Sequence, residues 1–209
     1  MRSKILISIC LISVAAGQLQ FTHHSLHTDM GSSKSAYAAD IDSDGDIDVL
    51  SAYANDGGTV VWYENDGSQN FTLHTIATTH QWCTSIYPID IDADGDIDVL
   101  RSSTQNRGTV WYENDGSQNF TAHTINTGDI HSAYAIDVDD DGDIDVLAAS
   151  WWDDKIVWYE NDGSESFTEQ AISTSADGAF SVYAVDVDGD GDMDILSVSI
   201  NKIAWYEND

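Results

Sequence analysis

Residues 40–48 read Asp-Ile-Asp-Ser-Asp-Gly-Asp-Ile-Asp, and the string returns with small changes as Asp90 to Asp98, Asp137 to Asp145 and Asp186 to Asp194. The steps between copies are 50, 47 and 49 residues. Two other strings keep the same period. Trp-Tyr-Glu-Asn-Asp starts at Trp62, Trp111, Trp158 and Trp205, and Phe-Thr-x-x-x-(Leu/Ile) starts at Phe21, Phe71, Phe120 and Phe167. Three markers on one period define a tandem repeat of four units, about 21–70, 71–119, 120–166 and 167–209.

Working outward from the second Asp string, each unit reads as four short strands. Phe71 to Ile76 alternates apolar and polar residues, Ser85 to Ile89 leads into the loop, Asp98 to Arg101 leaves it, and Gly108 to Tyr112 follows. Asn114-Asp115-Gly116 is a hairpin signal. The Val/Trp/Tyr strands are apolar on both faces, as in a sheet covered on both sides. No segment holds a 3.6-residue period for three turns. Four strands recurring at this spacing predict an all-β propeller of four-stranded blades. Counting one strand at Phe21, three full sets and a last set of three gives sixteen strands. Two architectures fit this count equally: the Phe21 strand completes the last blade and closes a four-bladed ring, or the chain is a fragment of a larger propeller.

The spacing Asp-x-Asp-x-Asp-Gly-x-x-Asp has a direct chemical meaning. Carboxylates at positions 1, 3 and 5 converge when the chain curls, Gly at 6 permits the turn, position 7 offers a carbonyl, and Asp at 9 closes the cage. The side-chain ligands are expected to be Asp40, Asp42, Asp44 and Asp48; Asp90, Asp92, Asp94 and Asp98; Asp137, Asp139, Asp141 and Asp145; and Asp186, Asp188, Asp190 and Asp194. Asp46, Asp96, Asp143 and Asp192 are expected to contribute carbonyls. An all-oxygen, highly charged donor set suits Ca²⁺ over zinc or copper, one ion per repeat. A helix-flanked EF-hand needs an acid at position 12, where this chain has Ser51, Arg101, Ala148 and Ser197. A merely solvated acidic turn is disfavoured by mutual repulsion of five crowded carboxylates, several kcal/mol per loop on the order-of-magnitude scale of like charges a few ångströms apart.

Composition agrees with that assignment. There are 37 Asp and Glu against 7 Lys and Arg, a formal net charge of −30. Such a chain repels nucleic acid and anionic membrane surfaces and attracts cations. Residues 1–17 carry Arg2 and Lys4, an apolar run from Ile5 to Ala16, and the small residues Ala15-Ala16-Gly17. This is the pattern of a secretory signal peptide, followed by one repeat domain over 18–209. Secretion or export to a periplasm follows. Cys10 leaves with the signal, so Cys83 has no disulfide partner and reads as a small loop or core residue.

On its Asp loops, its aromatic-Ala approaches (Tyr37-Ala-Ala, Tyr134-Ala-Ile, Tyr183-Ala-Val) and the Val/Trp-Tyr strand after each loop, the sequence resembles the FG-GAP/VCBS repeat family over about residues 21–209. This is the integrin α-subunit type of β-propeller. The Phe-Gly/Gly-Ala-Pro signature of integrin blades is not visible, so the resemblance is to the broad VCBS-like class. It implies structural Ca²⁺ in hairpins on one propeller face, rings usually larger than four blades, and a role in extracellular binding or adhesion.

Residues that depart from the repeat are where a ligand site is expected. They concentrate at His80-Gln-Trp-Cys83 and Trp151-Trp-Asp-Asp-Lys155. Trp82, Trp151 and Trp152 beside Asp153 suggest a platform for a glycan or a protein ligand, against packing between blades as the plainer alternative. His24, His74 and His123 recur at one strand position with Gln170, and read as strand residues without zinc spacing. The Glu of each Trp-Tyr-Glu-Asn reads as a turn-bonding scaffold residue. No nucleophile, phosphate-loop or metalloprotease motif appears. The expectation is therefore a non-enzymatic module with no catalytic residues; the alternative is a lectin-like part of a polysaccharide-active enzyme, or such an enzyme itself.

Overall fold

The computed structural model describes residues 20–28, 33–53, 58–78, 82–104 and 108–208. The signal-peptide reading of residues 1–17 lies outside these residues. Among the described residues, fifteen strands form four antiparallel sheets, each a simple meander. The first sheet holds β1 (Ser33–Ala39), β2 (Asp48–Tyr53), β3 (Thr59–Asn65) and β4 (Phe71–Thr78). The second holds β5 (Cys83–Ile89), β6 (Asp98–Ser103), β7 (Thr109–Asn114) and β8 (Phe120–Thr124). The third holds β9 (Ser132–Ile136), β10 (Asp145–Ser150), β11 (Lys155–Asn161) and β12 (Phe167–Ser173). The fourth holds β13 (Ser181–Val185), β14 (Asp194–Ser199) and β15 (Lys202–Tyr206). The chain is all-β, an arc of propeller-type blades.

The sheets are phased one strand later than the sequence repeats. Each Phe-Thr strand closes the sheet of the repeat before it, as β4 pairs with β3 rather than opening the second blade. The sixteenth strand expected at Phe21 is not formed. Residues 20–28 carry no strand, Phe21 is exposed, and the fourth sheet has three strands. This segment lies instead beside the first blade, where the His27 ring meets Tyr63 at 6.3 Å and His24 and Leu26 line a cleft with Gln69 and Phe71. Of the two expected architectures, the described residues do not form the closed four-bladed ring, since the Phe21 segment packs at the first blade instead of bridging to the last, and the arc is compatible with a segment of a larger propeller.

Strand register explains the packing. In the first sheet Tyr37, Leu50, Trp62 and His74 face one another across four strands. Tyr87, Leu100, Trp111 and His123 repeat the row, as do Tyr134, Leu147, Trp158 and Gln170. One residue over, Val49 and Tyr63, Val99 and Tyr112, Val146 and Tyr159, and Ile195 and Tyr206 make matching rows. Side chains alternate between faces, so each blade has a Leu/Trp face and a Val/Tyr face. The cores form where they meet. Leu50 and Trp62 pack on Val99 and Tyr112. Leu100 and Trp111 pack on Val146 and Tyr159. Leu147 and Trp158 pack on Ile195 and Tyr206. Along the innermost strands the rings of Tyr37, Tyr87, Tyr134 and Tyr183 follow one another at 5.5, 5.1 and 4.7 Å.

One reading of a single residue changes here, and a second narrows to one of its alternatives. The Glu of Trp-Tyr-Glu-Asn does not bond a turn. Glu64 Oε2 meets His74 Nε2 at 2.6 Å and Glu113 meets His123 at 2.7 Å, across neighbouring strands. The same histidine rings stack on Trp62 and Trp111 at 4.7 and 4.6 Å. An outer-strand residue thus caps the Trp and bonds the Glu, and Gln170 takes the equivalent place by donating to Glu160 at 3.1 Å. Cys83 is buried, and desolvation pushes its thiol up to about 12. It is a core residue with little thiolate at neutral pH.

Leu147 lies at the centre of a blade–blade core with no exposed surface. Leu147→Ala is expected to lower unfolding free energy by about 2–5 kcal/mol. Urea denaturation followed by tryptophan fluorescence measures this; a loss under about 1 kcal/mol contradicts tight inter-blade packing.

Candidate metal centres

Each Asp loop joins the innermost strand of a blade to the next, so all four lie at one end of the sheets. The loop is wound by its own carboxylates. Position 1 accepts the N–H of the position 6 glycine: Gly45 to Asp40 at 3.0 Å, Gly95 to Asp90 at 3.0 Å, Gly142 to Asp137 at 3.0 Å and Gly191 to Asp186 at 3.2 Å. Position 5 accepts the N–H of position 7: Asp46 to Asp44, Asp96 to Asp94, Asp143 to Asp141 and Asp192 to Asp190, at 2.8–3.0 Å. The glycines sit at φ of 95°, 102°, 98° and 110°, a region a side chain makes costly.

Position 9 has a second task that sequence spacing alone does not reveal. Asp48 Oδ2 accepts the Ile41 N–H at 2.9 Å while Oδ1 accepts the Asn65 N–H at 2.8 Å. Asp98 does the same with Ile91 and Asn114, Asp145 with Val138 and Asn161, and Asp194 with Val187 and Asn208. All four are buried. One carboxylate thereby ties the start of the loop to the end of the third strand. Position 7 reaches outward: a Cβ on Gly67, Gly116 or Gly163 would collide with the carboxylate of Asp46, Asp96 or Asp143. These glycines also sit at φ of 72°, 72° and 74°, the left-handed region that favours glycine in the Asp-Gly hairpin.

Carboxylate oxygens converge in every blade. Those of Asp40, Asp42 and Asp48 lie within 4.8 Å of one another, as do those of Asp90, Asp92 and Asp94, of Asp137, Asp139 and Asp145, and of Asp186, Asp188 and Asp194. Asp94 joins its group through position 5, whereas Asp44, Asp141 and Asp190 stand outside theirs and brace the turn. Asp42 Oδ1, Asp90 Oδ1 and Asp137 Oδ1 are buried acceptors with no hydrogen-bond donor. Buried acceptors are normally satisfied, so these oxygens fit a cation. An oxygen-only, three-carboxylate cluster on a flexible loop fits Ca²⁺. When bound, the ion supplies charge neutralisation at the crowded carboxylates. The EF-hand comparison is settled geometrically: Ser51, Arg101, Ala148 and Ser197 are buried inside β2, β6, β10 and β14.

Burial raises the carboxyls of Asp42, Asp92 and Asp139, with neighbouring acids adding to it. It pushes Asp98 and Asp145 up to about 6, against the lowering effect of their backbone donors. Asp194, at the end of the arc with less protein around it, is instead lowered by the Asn208 N–H.

The candidate ligand residues divide between separate places. Trp82 is exposed and lines a cleft of about 550 Å³ with Thr84, Thr104, His131 and Phe180, at the opposite end of the sheets from the Asp loops. Trp151 joins that cluster, its ring 6.0 Å from His131 and 6.1 Å from Phe180. Trp152 is exposed outside it. Asp153 accepts from Ser150 Oγ at 2.9 Å and faces a different hollow with Asn126, Lys155 and Tyr159. His131 and Phe180, whose rings lie 4.1 Å apart at a 34° tilt, are the residues sequence reasoning missed. Their signal was an aromatic ring three residues before Tyr134 and Tyr183.

The FG-GAP-like repeat family matches residues 40–101 and 137–197, together more than half the sequence and including all four Asp loops. The chain belongs to the FG-GAP-like repeat family. No curated protein matches it. Among solved structures, the V. cholerae biofilm matrix protein Bap1 is similar, with a TM-score of 0.54 and 22% identity over 82% of this chain and 26% of that one. At that identity the likeness is one of fold, and this FG-GAP-like chain spans about a quarter of the length of Bap1.

The two roles of the aspartates separate by mutation. Asp145→Ala strands two buried backbone N–H groups and is expected to cost about 2–6 kcal/mol with or without calcium. Asp137→Ala is expected to abolish the calcium-dependent rise in melting temperature of its blade while costing little in chelator. Calorimetry of both variants under both conditions checks this; equal losses for the two contradict the division. pH separates them too. Asp98 and Asp145 titrate higher folded than unfolded, so their contribution is complete below about 4 and lost as pH rises through about 6. In chelator the melting midpoint is therefore expected to rise between pH 7 and pH 5, and in saturating calcium to fall, as protons compete with the ion.

Proposed function

We propose that this chain is a secreted, calcium-binding propeller segment serving as an extracellular binding or adhesion module. The observation that carries the reading is the convergence of three carboxylate oxygens in every one of four loops, three of these clusters holding a buried oxygen without a donor. Membership of the FG-GAP-like repeat family and the signal-peptide pattern of residues 1–17 support it. Bap1 is a biofilm matrix protein, and an adhesive place outside the cell is the corresponding proposal here. Calcium is a structural element in this reading: it neutralises the loops and leaves the other end of the arc to meet a partner. The module is read as non-enzymatic, its acids being engaged in loop winding and cation binding.

The aromatic cleft of Trp82, His131, Trp151 and Phe180 favours a glycan as the partner. Rings flanked by the hydroxyls of Thr84, Thr104, Ser132 and Ser181 present what a sugar needs, an apolar face to stack on and donors at its edge.

Two measurements test the proposal. With extracellular-module affinities of about 10⁻⁴ M, 1 mM calcium contributes about 1.4 kcal/mol per site, so the melting temperature is expected to rise by about 10 °C or more over chelator. An unchanged midpoint overturns the calcium reading. On a glycan array, Trp82→Ala and Phe180→Ala are expected to remove whatever binding the native chain shows, and Trp152→Ala to leave it; unaltered binding in the first two overturns the sugar reading.

A further inference from the structure

A polar hollow of about 300 Å³ opens at the joint between the second and third blades, and all of its residues belong to those blades or to the connection between them. Asn126, Ser150, Asp153, Lys155, Tyr159 and Glu169 supply its polar groups, and the Phe167 ring is part of its wall. The joint between the first and second blades is built differently. There Ala77, Gly108 and Ala122 stand at the repeat positions of Asn126, Lys155 and Glu169. Ala77 packs on the core that holds Tyr112, the counterpart of Tyr159. The repeat is therefore broken in favour of polar side chains at one joint, which is how a ligand site departs from its scaffold.

The hollow is held in shape before any ligand arrives. Gly108 N–H donates to the Gly128 carbonyl at 2.8 Å, Ile125 N–H to Thr109 at 3.0 Å and Ile130 N–H to Ser103 at 3.0 Å, which fixes the connection 125–130 on the second blade. Asn126 Oδ1 accepts the Thr109 N–H at 2.9 Å, and Asn126 Nδ2 donates to the Tyr159 hydroxyl across the joint. Ser150 is buried, its Oγ 2.7 Å from the Asp129 carbonyl and 2.9 Å from the Asp153 carboxylate. The charged groups are two carboxylates, Asp153 and Glu169, against one ammonium, Lys155, which lies 3.5 Å from Glu169. One negative charge is left over, on a chain whose formal net charge is −30. Such a hollow attracts a cationic group and repels an anionic one.

It also adjoins the aromatic cleft. Ile130 and Ser150 line the hollow, while the residues that follow them, His131 and Trp151, belong to the aromatic cluster. A chain-like ligand can lie across both. Resting on the glycan reading of that cleft, we propose that the hollow is a subsite for a sugar bearing a free amine, which makes the partner an amino-sugar polymer with positive charge. The protonated amine is held by the carboxylates of Asp153 and Glu169 as charge-assisted hydrogen bonds. The sugar ring lies against Phe167, and the hydroxyls meet the remaining donor and acceptor capacity of Lys155 and Tyr159.

Titration calorimetry tests this with three oligosaccharide probes of equal length: glucosamine, N-acetylglucosamine and galacturonate oligomers. The full chain is kept in saturating calcium, so that the Asp loops are filled, and in about 150 mM salt, which screens distant charge. The glucosamine oligomer is expected to bind at least 10-fold more tightly than the acetylated one, and the galacturonate oligomer most weakly. Asp153→Asn combined with Glu169→Gln, both at exposed positions, is expected to remove that preference while leaving the melting temperature and the affinity for the acetylated oligomer unchanged. Glu165→Gln combined with Asp177→Asn neutralises two exposed acids elsewhere and is expected to leave the preference intact. Equal binding of the amine and acetylated oligomers overturns the inference alone, as does a preference that survives the first pair of substitutions or is lost equally with the second. Binding of none of the three overturns the glycan reading along with it.

Discussion

Everything in this fold hangs on a buried carboxylate at position 9 of each loop. Asp48, Asp98, Asp145 and Asp194 each hold a backbone N–H on either oxygen, one from the loop just behind the innermost strand and one from the end of the third strand. That double acceptance closes the loop, sets the register of the second strand against the third, and brings positions 1 and 3 together. A buried charge is costly unless hydrogen-bonded, and two backbone donors per carboxylate are what allow it here. The same burial raises Asp98 and Asp145 toward neutrality. Loop architecture and cation demand are thus two sides of one constraint.

Blade packing builds on this geometry. Once register places Leu, Trp and His in one row and Val and Tyr in the next, each blade becomes two-faced and can stack on a copy of itself. Such quasi-one-dimensional stacking leaves unlike ends at the termini of any open array. The histidine on the outer strand does double service, capping the Trp ring and bonding the Glu of the strand beside it. In the fourth blade, which among the described residues has neither an outer strand nor a following blade on this face, Trp205 and Ile203 are exposed.

The division of labour along the strands follows from the meander. One end of every sheet is committed to an Asp loop, and in the first three an Asp-Gly hairpin leans on it. The other end carries the connections that vary, and there Trp82, His131, Trp151 and Phe180 gather from three blades. A scaffold repeated strictly at one end leaves the opposite end free to differ.

The Asp loops, the four-strand repeats and the all-β class were legible in the sequence by itself. They rest on local patterns, alternation and ligand spacing, that recur four times and so tell against chance. What local pattern does not carry is the identity of the residue across a sheet or between sheets. That His74 answers Glu64, that position 9 clamps two N–H groups, and that Asp153 stands apart from Trp82 depend on register and on which blade lies next. Tertiary structure also decided the place of Phe21 to Leu26. Its sequence has the form of an outer strand, but a strand exists only where an edge is within reach to receive it.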